Sequence, residues 1–178
     1  MRALGPGSVS SFLKIILDVV FFLLWAGLGV VALMMLAAIM FSFNPSLIDD
    51  ITIRTGAGGA EMAAKGPFLL GGLAAMALYL GGVLVIVERL RRIFATLTAG
   101  DPFHPDNVMR LRVIGLVLAG LEIGRYAVWG LGTWLLPGSE INTPGFSLTA
   151  WFSVLVVFVL AEVFREGARL RREAELTI

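Results

Sequence analysis

The chain has 178 residues, 58% of them apolar, with no cysteine and a formal net charge of +1. Its mean hydropathy of +0.90 sets it apart from soluble domains, which are about 45–50% apolar, and puts it in the membrane class. Disulfides, thiol catalysis and thiolate metal sites are excluded, and four spans of about 20 apolar residues each nearly exhaust the length, leaving no separate soluble domain.

Residues 1–11 are small and polar, and Gly5, Pro6 and Gly7 predict a flexible start. Ser10 or Ser11 could cap a first helix. Lys14 and Asp18, four apart, would share a face near its start and pair at the interface. Val19 to Phe43 then runs 25 residues without a charge. Signal h-regions are only about 7–15 residues, so this run reads as a retained span.

Asn44-Pro45 ends span one. Residues 44–66 form an outer loop in which Ile51-Thr-Ile-Arg-Thr alternates as a short strand does, and Gly56, Gly58 and Gly59 supply a turn. Asp49 and Asp50 are adjacent loop carboxylates, read as solvated. Pro67 opens span two where helices tolerate proline, and Phe68 to Val87 gives 20 uncharged residues. The Gly71-Gly72 and Gly81-Gly82 pairs could let another helix approach closely, or could be tolerated only because membrane helices accept glycine.

Past the membrane, Leu90, Ile93, Phe94 and Leu97 keep the i, i+3, i+4, i+7 stripe of a continuing helix, with Arg89, Arg91 and Arg92 off it. Glu88 to Thr98 would project roughly 15 Å beyond the bilayer at about 1.5 Å per residue. Gly100 and Pro102 stop it. The stretch from Glu88 to Arg112 holds five of the fourteen cationic residues and the single histidine. Within it, Asp101-Pro-Phe-His-Pro-Asp-Asn107 reads as a tight connector. Asp106 or Asn107 caps the next helix, and Phe103 packs back as a plug. His104 has no histidine or cysteine companion for a metal site; a pH-sensing role is the sharper alternative to a plain surface histidine.

Span three follows from about Val108 to Leu136. Glu122 and Arg125 stand three apart on one face near mid-bilayer, where an unpaired charge is costly and an internal ion pair is allowed. Two readings compete: a structural pair that fixes packing, or part of an ion, proton or polar-substrate path. Gly120 and Gly124 make a Gly-xxx-Gly face close by. Trp129, Trp134 and Pro137-Gly138 mark the outer interface, and Glu140 is the single charge of the outer loop 137–147. Span four is about Leu148 to Phe164, with Trp151 near its outer end and Glu162 placed to meet Arg165. A charged tail, helical at first, follows from Arg165.

The fold expected is therefore an all-α integral membrane protein, a four-transmembrane-helix bundle forming a single domain over 1–178. Its spans are about 15–43, 67–88, 110–136 and 148–164, with a loop over 89–109 and a tail over 165–178. Eleven Lys/Arg lie in the N-terminus, central loop and tail, and two, Arg54 and Lys65, in the outer loops. That asymmetry places both termini and the central loop in the cytoplasm.

Two motifs carry a resemblance. Gly100-Asp-Pro-Phe with Asn107-Val-x-Arg110-Leu-Arg-x-Ile-Gly115, and Ala161-Glu-Val-Phe-Arg-Glu-Gly-Ala-Arg-Leu-x-x-Glu with Leu176-Thr-Ile, resemble the bacterial membrane family known as domain of unknown function 2975. The family has no established reaction or cofactor, so the resemblance implies neither an enzyme nor a bound group. Members are often encoded beside a small helix-turn-helix protein, which implies a multi-pass inner-membrane partner of a cytosolic transcription regulator. Such a partner would dock on Arg91, Arg92, Asp101, Phe103, Asn107, Arg110 and Arg112, with Arg165, Arg169 and Glu173 of the tail. The arginines could instead bind anionic headgroups, at about 1 kcal/mol per cation, or only set topology. Interspersed acidic residues argue against direct nucleic-acid binding. The competing function is an oligomeric small transporter or channel component using Glu122 and Arg125.

Overall fold

A computed structural model describes residues 9–43, 52–55, 60–63, 66–135 and 143–176. The expectations for Gly5 to Gly7, Asn44-Pro45, Asp49, Asp50, the 56–59 turn, Pro137-Gly138 and Glu140 lie outside these residues.

Four long helices carry the chain: α1 (Val9–Ser42), α2 (Gly66–Thr98), α3 (Pro105–Leu135) and α4 (Leu148–Glu175). Between α1 and α2 a short antiparallel hairpin pairs β1 (Thr52–Thr55) with β2 (Ala60–Ala63), Thr52 opposite Ala63 and Thr55 opposite Ala60. The alternation around Ile53 announces β1. Ala-Glu-Met-Ala of β2 has little strand propensity of its own and owes its form to the partner.

Three helices are long and apolar enough to cross a bilayer, over Phe12–Met40, Leu69–Thr98 and Leu148–Ala174. The remaining one, α3, is equally long but carries Glu122 and Arg125 in its middle. Large apolar side chains such as Phe22, Leu33, Leu78, Leu116 and Leu155 are exposed, as a lipid solvent requires and water would penalise.

The chain divides into two compact units. One comprises Met1–Phe22 and Gly82–Ile178; the other is Leu23–Gly81. In the second unit, Val31 and Ala38 of α1 are buried one heptad apart, and a Cβ on Gly27 would touch Leu80 at 3.8 Å. In the first, Ile93, Leu111, Ile114 and Ala161 form the core, with Leu90, Leu97 and Phe164 packed on it. Leu90, Ile93 and Leu97 are the stripe expected past the membrane, and they face inward.

Within that unit α3 and α4 make the closest helix pair. Small residues permit it: a Cβ on Gly115 would sit 3.0 Å from the Phe158 ring, and Ala161 is buried against Leu111 and Ile114. Of the glycine pairs on α2, only Gly82 is pressed, with Leu121 at 2.7 Å from its would-be Cβ; Gly71, Gly72 and Gly81 meet nothing within 4 Å among the described residues, nor do Gly120 and Gly124.

Three local expectations need correction. α1 begins at Val9, so Ser10 and Ser11 lie inside it and do not cap it. Asp18 pairs across to Arg91 of α2 at 2.5 Å, not with Lys14; a partner on another helix satisfies it at the same depth. α3 begins at Pro105, which puts Asp106 and Asn107 within its first turn and frees the Asn107 side chain for another task. The tail, expected to be helical at first, continues α4 as one helix to Glu175; α4 is begun by Ser147, whose Oγ accepts the Ala150 amide at 3.2 Å.

Candidate functional site

The connector between α2 and α3 is built around Asn107, which is 0% exposed. α2 ends because Gly100 takes φ +83°, a left-handed turn that favours glycine. The amides of Gly100 and Asp101 then return to the carbonyls of Leu97 (3.1 Å) and Thr96 (3.0 Å). Pro102 and Pro105 limit the chain between the helices. Asn107 Nδ2 donates to Thr96 Oγ1 at 2.8 Å and to the Pro102 carbonyl at 3.1 Å. Its Oδ1 accepts from Arg110 Nη1 at 2.8 Å. Arg110 Nη1 also reaches the Arg92 carbonyl at 3.1 Å, and Nη2 meets Asp106 at 3.4 Å. One buried amide therefore ties the end of α2, the loop and the start of α3 together. A buried amide group costs free energy unless its hydrogen bonds are made, and here donor and acceptor are both used.

The loop is also fastened to α4. Asp101 forms an ion pair with Arg171. Phe103 stacks on Phe164 with centroids 5.8 Å apart, and its ring lies where a Cβ on Gly167 would be only 2.5 Å away. Phe103 is thus the plug expected of it, although 39% of it stays exposed. His104 Nδ1 accepts the Asp106 amide at 3.2 Å, which leaves Nε2 as the ring's donor. Among the described residues no group of three His, Asp or Glu could hold a metal.

The residues expected to dock a partner fall into two sets. Arg91, Asp101, Phe103, Asn107 and Arg110 are engaged inside the protein; Arg91 both pairs with Asp18 and lies 4.3 Å over the Phe21 ring, and Asn107 has no surface for a partner to touch. Arg92, Arg112, Arg165, Arg169 and Glu173 are exposed. Arg92 pairs along its helix with Glu88, Arg165 with Glu162 as expected, and Arg169 with Glu166 at 2.5 Å and Glu173 at 3.6 Å. Sequence reasoning missed the Asp18–Arg91 and Asp101–Arg171 links. Single charges of opposite sign at matching depths, on separate helices for Asp18 and Arg91 and on the connector and α4 for Asp101 and Arg171, were the available signal.

The expected pair on α3 forms: Arg125 Nη2 to Glu122 Oε1 is 2.6 Å, and Glu122 is 9% exposed. Tyr126 also donates to the same oxygen at 3.0 Å. Arg125 Nη2 further donates to the Gly145 carbonyl at 3.0 Å, so the cluster pins the approach to α4 against α3. Trp134 is the exposed one of the three marker tryptophans; the indole nitrogens of Trp129 and Trp151 are buried.

Long helices with outward apolar surface, linked through a braced polar connector, define a helical membrane protein. The chain belongs to the family described as Protein of unknown function (DUF2975), which matches residues 52–178 and so includes the connector and the α4 tail. No curated protein and no solved structure matches it.

Proposed function

We propose that this protein crosses the bacterial inner membrane four times, α3 included, and holds a small cytosolic helix-turn-helix regulator at the membrane. Both termini and the α2–α3 connector lie in the cytoplasm, since eleven Lys/Arg fall on that side and two on the other. The observation that supports docking is the bracing itself. Asn107, the Asp101–Arg171 pair and Phe103 against α4 hold the connector and the tail as one body, with Arg112, Arg169 and Glu173 left exposed on it. A rigid surface loses less conformational entropy on binding than a mobile loop would.

The transporter reading draws less support. Glu122 and Arg125 satisfy each other, Tyr126 and a backbone carbonyl, which is what a packing clamp needs.

Co-purification of the protein with the proposed helix-turn-helix regulator, in mild detergent, tests the proposal. Wild type should retain the regulator, and a variant with Arg112→Glu, Arg169→Glu and Glu173→Lys should not. Failure of wild type to retain it would sink the proposal.

A further inference from the structure

A cavity of about 250 Å³ opens between the connector and α4. Phe103, Pro105 and Ala168 give it an apolar wall, and Arg171, Arg172 and His104 line the rest with Asp101. Its polar groups are mostly donors. Arg172 has no side-chain partner among the described residues and is exposed. His104 spends Nδ1 on the Asp106 amide, so Nε2–H is the edge it has left to offer. The one carboxylate, Asp101, already faces Arg171.

We propose that this cavity receives an acidic side chain, flanked by an apolar one, from a protein segment. This deepens the docking reading above and rests on its membrane placement. The carboxylate would meet Arg172 and His104 Nε2–H, and its apolar neighbour would lie on Phe103 and Pro105. Asp101 then acts as a built-in competitor, because it holds Arg171 with the same chemistry the incoming group would use. A membrane headgroup fits less well. The connector begins after Thr98, eleven residues past Val87, the last residue of the uncharged run, which is roughly 16 Å along a helix at about 1.5 Å per residue. The apolar wall also has no use for a phosphate.

The test measures binding of a fluorescein-labelled peptide, Leu-Glu-Glu repeated four times, to the full-length protein in phosphatidylcholine nanodiscs. The same peptide with Gln for every Glu is the control. Arg172→Ala should weaken binding about tenfold, the scale set by losing one charge-assisted contact. Asp101→Asn, which keeps shape and an acceptor for Arg171 but removes the competing charge, should strengthen it severalfold. A purely structural clasp gives the opposite sign for Asp101→Asn, and that result would overturn the proposal. Equal binding of the Gln peptide would also overturn it, as would binding that needs phosphatidylglycerol in the nanodisc. If the peptide behaves as expected and the regulator does not bind, the docking proposal falls and the cavity stands. If the regulator binds with equal affinity to wild type, Arg172→Ala and Asp101→Asn, the cavity falls and docking stands.

Discussion

Gly167→Ala sets two known effects against each other at the connector. Alanine in place of glycine within a helix is worth about 1 kcal/mol of added stability. At this site the new Cβ would lie 2.5 Å from the Phe103 ring, and forcing an extra methyl into a packed contact costs about 1–3 kcal/mol. The clash should win or break even, so the docked connector should lose about 0–2 kcal/mol. Removing the ring reverses the sign: in a Phe103→Ala background, Gly167→Ala should gain about 1 kcal/mol. The coupling between the two positions is then about 1–3 kcal/mol. Hydrogen exchange followed by mass spectrometry on nanodisc-embedded protein reads it, through the opening of amides 99–107 for the ring contact and of the α4 amides around position 167 for the helix. If Gly167→Ala stabilises both backgrounds by the same amount, Phe103 does not press on α4 and the bracing described above is wrong.

Asn107→Leu keeps the volume but strands the Pro102 carbonyl and Arg110. It should cost about 2–4 kcal/mol of connector stability, seen as faster exchange over residues 99–107; unchanged exchange would mean the amide is not the hub. For the Glu122–Arg125 pair of α3, Arg125→Gln alone should lower the thermal midpoint in detergent more than the double change Glu122→Gln with Arg125→Gln, because only the single leaves a buried carboxylate unpaired. A double variant less stable than either single would contradict the clamp. Topology is testable without background because the chain has no cysteine. Arg112→Cys and Arg169→Cys should resist an impermeant maleimide in intact spheroplasts and react after lysis, whereas reaction in intact spheroplasts would invert the orientation.

Much of the backbone was legible because its signals are local. The Leu90, Ile93 and Leu97 stripe carried α2 to Thr98, and the stop was read from Gly100 with Pro102 just beyond it. The i, i+3 spacings of Glu122–Arg125 and Glu162–Arg165 gave true pairs, since helix geometry alone brings them together. What sequence could not resolve was choice among partners. Lys14 looked right for Asp18 until α2 brought Arg91 within 2.5 Å. Asn107 looked like a cap because caps and buried hubs use the same residue type, and only the packing of α2 on α3 separates them. Nor could sequence divide the connector residues into those that build the surface and those that show on it. That division depends on burial: Arg110 keeps 18% of its side chain exposed and Arg169 keeps 58%, though both are arginines beside acids.

Site-specific photo-crosslinking in living cells tests the docking claim most directly. A benzoylphenylalanine placed at Arg112 or Arg169, with Leu155 on the exposed apolar surface of α4 as control, is irradiated, and the product is probed with an antibody to the proposed helix-turn-helix regulator. Docking on this surface gives an adduct from positions 112 and 169 and none from 155. Adducts from all three alike, or from none, would contradict it.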